Sequence, residues 1–143
     1  IEPIVSHFFV FYYGVLADIT PPVALAAYAA AGIAGSNPFK TGNTAFRLGI
    51  AKALVPFVFV YSPSLLLVAQ GFDIYIFFQT LVSAMIGIGL IGISFSGYWL
   101  KSVPIYQRWY LGVNSLFFIA PGIESSILGL FLISPVLFFQ LKK

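Results

Sequence analysis

Few residues in this chain have the types and spacing to do chemistry, and most of them stand in one short run, Asp18-Ile19-Thr20-Pro21-Pro22-Val23. The run follows an apolar stretch from Ile4 to Leu16 and leads into an alanine-rich one from Val23 to Ile33. Pro22 pushes Pro21 out of the α region, and neither proline has a backbone N–H to donate. Carbonyls near Ile19 and Thr20 are therefore expected to lose helical partners. Oxygen donors of that kind suit a weakly held sodium ion, and the N-terminus of a half-helix beyond the break suits an anion. The competing reading is a proline kink whose polar groups are satisfied by neighbouring helices. Asp18 favours a site, because an acid beside an intramembrane break is costly without a task or a partner.

Other groups carry less. His7 is the sole histidine, and a pairing with Asp18 would suggest a proton relay. If the intervening segment is helical the two lie about 16 Å apart along its axis, so His7 reads as a packed or interfacial residue. Glu124 lies in Pro121-Gly122-Ile123-Glu124-Ser125-Ser126, where its charge suits the start of a helix near Ser125 or Ser126. Gly87-Ile88-Gly89-Leu90-Ile91-Gly92 spells the dinucleotide-binding fingerprint. No strand precedes it and no acid follows at the required distance, so it fails its structural context. The pairs Ser83/Gly87 and Gly92/Ser96 instead offer small residues four apart, a pattern for close helix packing.

The elements that must position these groups belong to a membrane. Hydrophobic residues form 60% of the 143-residue chain and charged residues 8%, against roughly 25% charged in soluble domains. A chain so poor in charge cannot cover a water-facing surface of ordinary polarity. Cysteine is absent, which excludes disulfides and thiolate metal sites. The basic residues fall in the connections: Lys40, Arg47 and Lys52, then Lys101 and Arg108, then Lys142 and Lys143 at the end. They are too sparse for a nucleic-acid surface and suit loop anchoring.

The expected fold is an all-α integral membrane protein, a polytopic helical bundle in a single transmembrane region over 1–143. Residues 1–35 read as a broken helix. Asn37–Gly42 reads as a loop, with Thr44 capping the helix that follows. The segment 45–68 reads as an amphipathic turn running into a span kinked at Pro56 and Pro63, and 74–96 as a span of about 34 Å. Tyr98, Trp99, Tyr106, Trp109 and Tyr110 crowd around Lys101 and Arg108 as an interfacial belt. Residues 110–141 read as a short helix pair, possible as a re-entrant hairpin, or as one broken span. Basic connections 36–53 and 97–109 flank the acidic loop 69–73, which puts both basic ones on the cytoplasmic side.

At the Thr-Pro-Pro run a family resemblance emerges. FFVFYYGVLADITPPVALAAYAAAGIAGSNPFKTG, followed by AFRLGIAKALVPFVFVYSPSLL, resembles the late part of the large membrane subunit of tripartite ATP-independent periplasmic (TRAP) transporters. The fused-permease branch partnered by TAXI-type binding proteins is the nearest in pattern. The resemblance is strong over roughly residues 8–67 and looser beyond. It implies a sodium-coupled secondary importer of organic acids that works as an elevator and is served by a periplasmic substrate-binding protein. It carries the family's Thr-Pro-Pro-Val segment onto Thr20, Pro21, Pro22 and Val23. Many large subunits continue with Gly where this chain has Ala24.

The expectation is therefore a permease component with Asp18, Thr20, Pro21, Pro22 and Val23 in the substrate or ion site and sodium near Ile19 and Thr20. No cofactor other than that coupling ion is expected. The setting is a bacterial or archaeal cytoplasmic membrane, crossed several times. A start at Ile1 suggests the C-terminal part of a larger permease, with further helices and ligands upstream and with lipid as the other partner. Two alternatives remain: an intramembrane enzyme using Asp18, His7 or Glu124, and a structural membrane subunit. The enzyme lacks credible spacing for a catalytic pair, and the acidic break argues against pure scaffolding.

Overall fold

A computed structural model describes residues 2–68 and 71–141. Ile1, Ala69, Gln70 and the anchoring lysines Lys142 and Lys143 lie outside the described residues. Over the described residues the protein is α-helical, with one isolated β-bridge between Tyr98 and Ser102 and no strand. The α-helices are α1 (Pro3–Leu16), α2 (Leu25–Ala34), α3 (Pro38–Gly49), α4 (Val55–Tyr61), α5 (Ile74–Ser96), α6 (Ile105–Ile119) and α7 (Ile123–Leu141).

Helix α3 begins where a loop was expected. Asn37 is its N-cap and accepts from the backbone N–H of Lys40 at 3.0 Å, and Pro38 occupies the first turn. Proline fits there because its φ is preset and its missing N–H would have been unpaired anyway. Thr44 does not cap; it lies inside the helix and donates its hydroxyl to Lys40 O at 2.9 Å. The chain then tightens into a 3-10 turn over Ile50–Leu54 before α4. Pro56 has no N–H to give Lys52 O, and Val55 N bonds that carbonyl instead. The helical run Pro38–Tyr61, long and apolar enough to cross a membrane, thus starts and ends earlier than the span expected over 45–68. After Ser62, Pro63–Leu65 forms a short 3-10 turn.

Helices α1 and α2 run one after the other along this helix in the opposite sense. Phe9 meets Phe57 at 5.4 Å between ring centroids, Tyr13 OH bonds Ala53 O at 2.9 Å, and Tyr28 meets Phe39 at 6.0 Å. As numbers rise on one side they fall on the other, which fixes the antiparallel register. The segment between α1 and α2 is thereby held against the middle of the Pro38–Tyr61 helix.

Helices α5, α6 and α7 form an antiparallel three-helix unit. Asp73 caps α5, accepting from Tyr75 and Ile76 N–H at 2.7 and 3.1 Å. Helices α5 and α7 are each long and apolar enough to span a bilayer. Across α6 and α7, Tyr110 OH bonds Leu132 O at 2.7 Å and Asn114 Nδ2 bonds Gly129 O at 3.2 Å, so the 110–141 region is a helix pair folded back on itself. Its core gathers Leu90, Val103, Leu111, Phe118, Ile133 and Val136. A smaller cluster of Val58, Ala84 and Ile119 joins α4 to this unit. Apolar side chains elsewhere face outward, such as Ile33 (91% exposed) and Phe131 (75%), as expected for a chain solvated by lipid.

Candidate functional site

Helix α1 ends at Leu16, turns through a 3-10 turn at Ala17–Ile19, and becomes extended at Thr20. The Pro21–Pro22 peptide is cis. The polar groups of this segment are handled locally. Thr20 donates its hydroxyl to Leu16 O at 2.7 Å and its N–H to Ala17 O at 3.2 Å. Ala24 N–H reaches Ala17 O and Thr20 O at 3.2 and 3.0 Å, and Tyr28 OH donates to Pro22 O at 3.1 Å. The Thr20 carbonyl is therefore occupied, contrary to expectation, whereas that of Ile19 accepts none of these bonds. Because the Thr20 hydroxyl gives its proton to Leu16, its lone pairs remain available as an oxygen ligand.

Ala24 closes the segment in the left-handed region, at φ 36° and ψ 40°, and is fully buried. That conformation favours glycine. No side chain caps α2, so its opening N–H groups keep their capacity to face a negative ligand.

Between the segment and its partner helix lies a cavity of about 440 Å³, lined by Thr20, Pro21, Pro22 and Val23 on one side and by Phe46 and Gly49 on the other. Two glycines allow the approach. A Cβ at Gly49 would collide with the Ile19 side chain, and one at Gly42 would meet the Tyr28 ring at 2.8 Å. Gly42 and Gly49 are two helical turns apart and share a face. Sequence reasoning missed both, although their seven-residue spacing was the available signal.

Asp18 is exposed, does not line this cavity, and has no hydrogen-bond or ion-pair partner among the described residues. Ile19 also borders a second cavity of about 290 Å³ shared with Tyr12, Leu16 and Lys52. Lys52, expected at an interface, thus stands beside the segment's other flank. The structure brings Thr20, Pro21, Pro22 and Val23 around one space and leaves Asp18 outside it.

The remaining candidates have local roles. The His7 ring pairs with Pro3 O at 2.6 Å within α1. Glu124 sits in the first turn of α7. In the glycine run, a Cβ at Gly87 would come within 3.1 Å of Phe118 and 3.2 Å of Ser115 O, so Gly87 is a packing contact between α5 and α6. Ser83 supports that contact by donating to Phe118 O at 2.7 Å. Gly92, by contrast, faces open space.

Among models of known protein families, the one described as "Tripartite ATP-independent periplasmic transporter, DctM component" matches residues 1–74. No curated protein and no solved structure matches the chain. The matched stretch is more than half of the 143 residues and takes in α1, the Thr-Pro-Pro segment, α2 and the whole Pro38–Tyr61 helix.

Proposed function

The chain belongs to the DctM component family of tripartite ATP-independent periplasmic transporters, and on that premise we propose that it is the part of a sodium-coupled permease that holds ion and substrate at the Thr20–Val23 segment. The observation carrying this reading is the cavity between that segment and the Gly49 face of its partner helix. Thr20 Oγ1 and the Ile19 carbonyl are the sodium ligands, hard oxygen donors of the kind such a cation takes. The uncapped start of α2, which follows directly on Val23 and Ala24 in the chain, takes the carboxylate of an organic acid, as half-helix ends do in secondary transporters. Asp18, beside the cavity without lining it, supplies negative potential that draws the cation. The substrate reaches the permease from a periplasmic binding protein, and the permease crosses a bacterial or archaeal cytoplasmic membrane several times.

The test is sodium-dependent uptake by the intact transporter in proteoliposomes. Thr20→Ala removes a ligand oxygen and is expected to weaken apparent sodium affinity by about tenfold or more, the scale of a lost contact to a charged group. Asp18→Asn is expected to shift the same parameter less. Unchanged sodium dependence in both variants sinks the assignment.

A further inference from the structure

We propose that the cleft between the end of α5 and the start of α6 binds one anionic phospholipid, phosphate on Arg108 and acyl chain along the helix pair. The cleft has a volume of about 310 Å³, with Ile91 and Phe95 on α5 facing Trp109, Val113 and Leu116 on α6. Its walls are apolar and open outward, since Trp109 is 72% exposed and Val113 59%. Gly112 shapes the floor, where a Cβ would come within 3.1 Å of Ser94 Oγ.

Arg108 is fixed at the mouth. Its Nε donates to Ser94 O at 2.7 Å and its Nη2 to Phe95 O at 2.8 Å. Ser94 Oγ returns a bond to Arg108 O at 2.7 Å. Two of the guanidinium's five N–H groups are thus used to pin it to the last carbonyls of α5, and the others stay available for a phosphate. Preorganisation matters here, because an arginine already held in place loses little freedom on binding.

Charge complementarity selects the occupant. Between Asp73 and Glu124 the charged residues are Lys101 and Arg108, both basic, so no acid in that stretch competes for the guanidinium. The exposed Tyr98, Tyr106 and Trp109 mark headgroup depth. A phosphate alone would leave the apolar walls uncovered, and a zwitterionic lipid would bring a second positive group to the arginine. An anionic headgroup with its acyl chain satisfies both ends of the cleft.

The experiment is native mass spectrometry of the intact, delipidated permease complex given equal phosphatidylglycerol and phosphatidylcholine of matched chains. The expected result is retention of one phosphatidylglycerol, favoured about fivefold, the scale of one arginine near an anionic surface. Arg108→Gln is expected to abolish the preference. Because it also unpins α5, Val113→Trp provides the second variant: it fills the apolar wall, leaves Arg108 in place, and is expected to lose the retained lipid. Equal retention of the two lipids by the unaltered protein overturns the proposal. So does a preference that survives Val113→Trp, or displacement of the lipid by inorganic phosphate.

Discussion

The two halves of the molecule solve the same packing problem in opposite ways. In the α5–α7 unit, hydrogen bonds run from helix to helix: Ser83 to Phe118 O, Asn114 to Gly129 O, Tyr110 to Leu132 O, Arg108 to Ser94 O. Around the Thr-Pro-Pro segment the bonds close on themselves, from Thr20 to Leu16 and Ala17 and from Ala24 to Ala17 and Thr20. There the contacts between helices are mainly aromatic edges such as Phe9 against Phe57. In lipid no hydrophobic force presses helices together, so packing and interhelical hydrogen bonds set how firmly they are held. The C-terminal unit is clamped by its polar groups. Around the Thr-Pro-Pro segment itself the polar groups are satisfied locally, with Tyr13 OH to Ala53 O reaching across to the partner helix. The half that carries the family match is the one whose Thr-Pro-Pro segment bonds locally.

The largest expected effect tests the clamped half. Phe118 is 2% exposed, and its ring lies against Gly129 on α7 while its Cβ lies by Gly87 on α5. Phe118→Ala should cost about 3–5 kcal/mol, the usual range for a buried aromatic. Both tryptophans, Trp99 and Trp109, lie in or beside this unit, so thermal unfolding followed by tryptophan fluorescence reads it directly. A loss below about 1 kcal/mol would mean that the core is held elsewhere.

Next comes the N-terminal half. Gly49→Leu drives a side chain into Ile19 and the cavity. Overpacking should cost about 1–3 kcal/mol, and uptake should fall more than the melting temperature suggests. If transport survives while stability drops, the cavity is only a packing defect and the contrast between the halves loses its functional meaning.

The fold was legible where hydrophobicity alone decides it. The span at 74–96 coincides with α5, because a long apolar run has one way to satisfy its backbone in lipid. The Thr-Pro-Pro interruption was legible because proline removes donors wherever it stands. The start of α3 was not, since Asn37, Pro38 and Gly42 have loop composition, and only the Asn37–Lys40 bond reveals a cap. Arg108 read as an interfacial anchor because its acceptors lie fourteen and thirteen residues away on another helix. Of the candidate site, Thr20 to Val23 were visible as a motif. Gly42 and Gly49 offered only their seven-residue spacing, because a glycine's value lies in what approaches it.

A smaller effect sharpens the clamp. Ser83 bonds Phe118 O and pairs with Ser126 Oγ at 2.8 Å. Ser83→Ala should nevertheless cost only about 0.6 kcal/mol, the average for interhelical bonds in membrane proteins. The fluorescence melt should detect it as a small shift. A loss several times larger would show the serine bonds, rather than Phe118, to be the principal tie.

The smallest expected effect is at Ala24, where three contributions nearly cancel. Its left-handed backbone costs an L-residue about 1–2 kcal/mol relative to glycine, and Ala24→Gly removes that strain. Against this, glycine loses about 0.5–1 kcal/mol more backbone entropy on folding. Deleting the fully buried methyl forfeits roughly 0.8 kcal/mol more. The sum is close to zero, so the melting temperature and sodium-dependent uptake of Ala24→Gly should match those of the parent protein. Ala24→Val should differ sharply, because a branched Cβ tolerates positive φ poorly and the site has no room for it. The pair separates backbone from packing. If Ala24→Gly loses as much as Ala24→Val, the methyl contact with the Gly42 face, and not the backbone conformation, holds the segment in place.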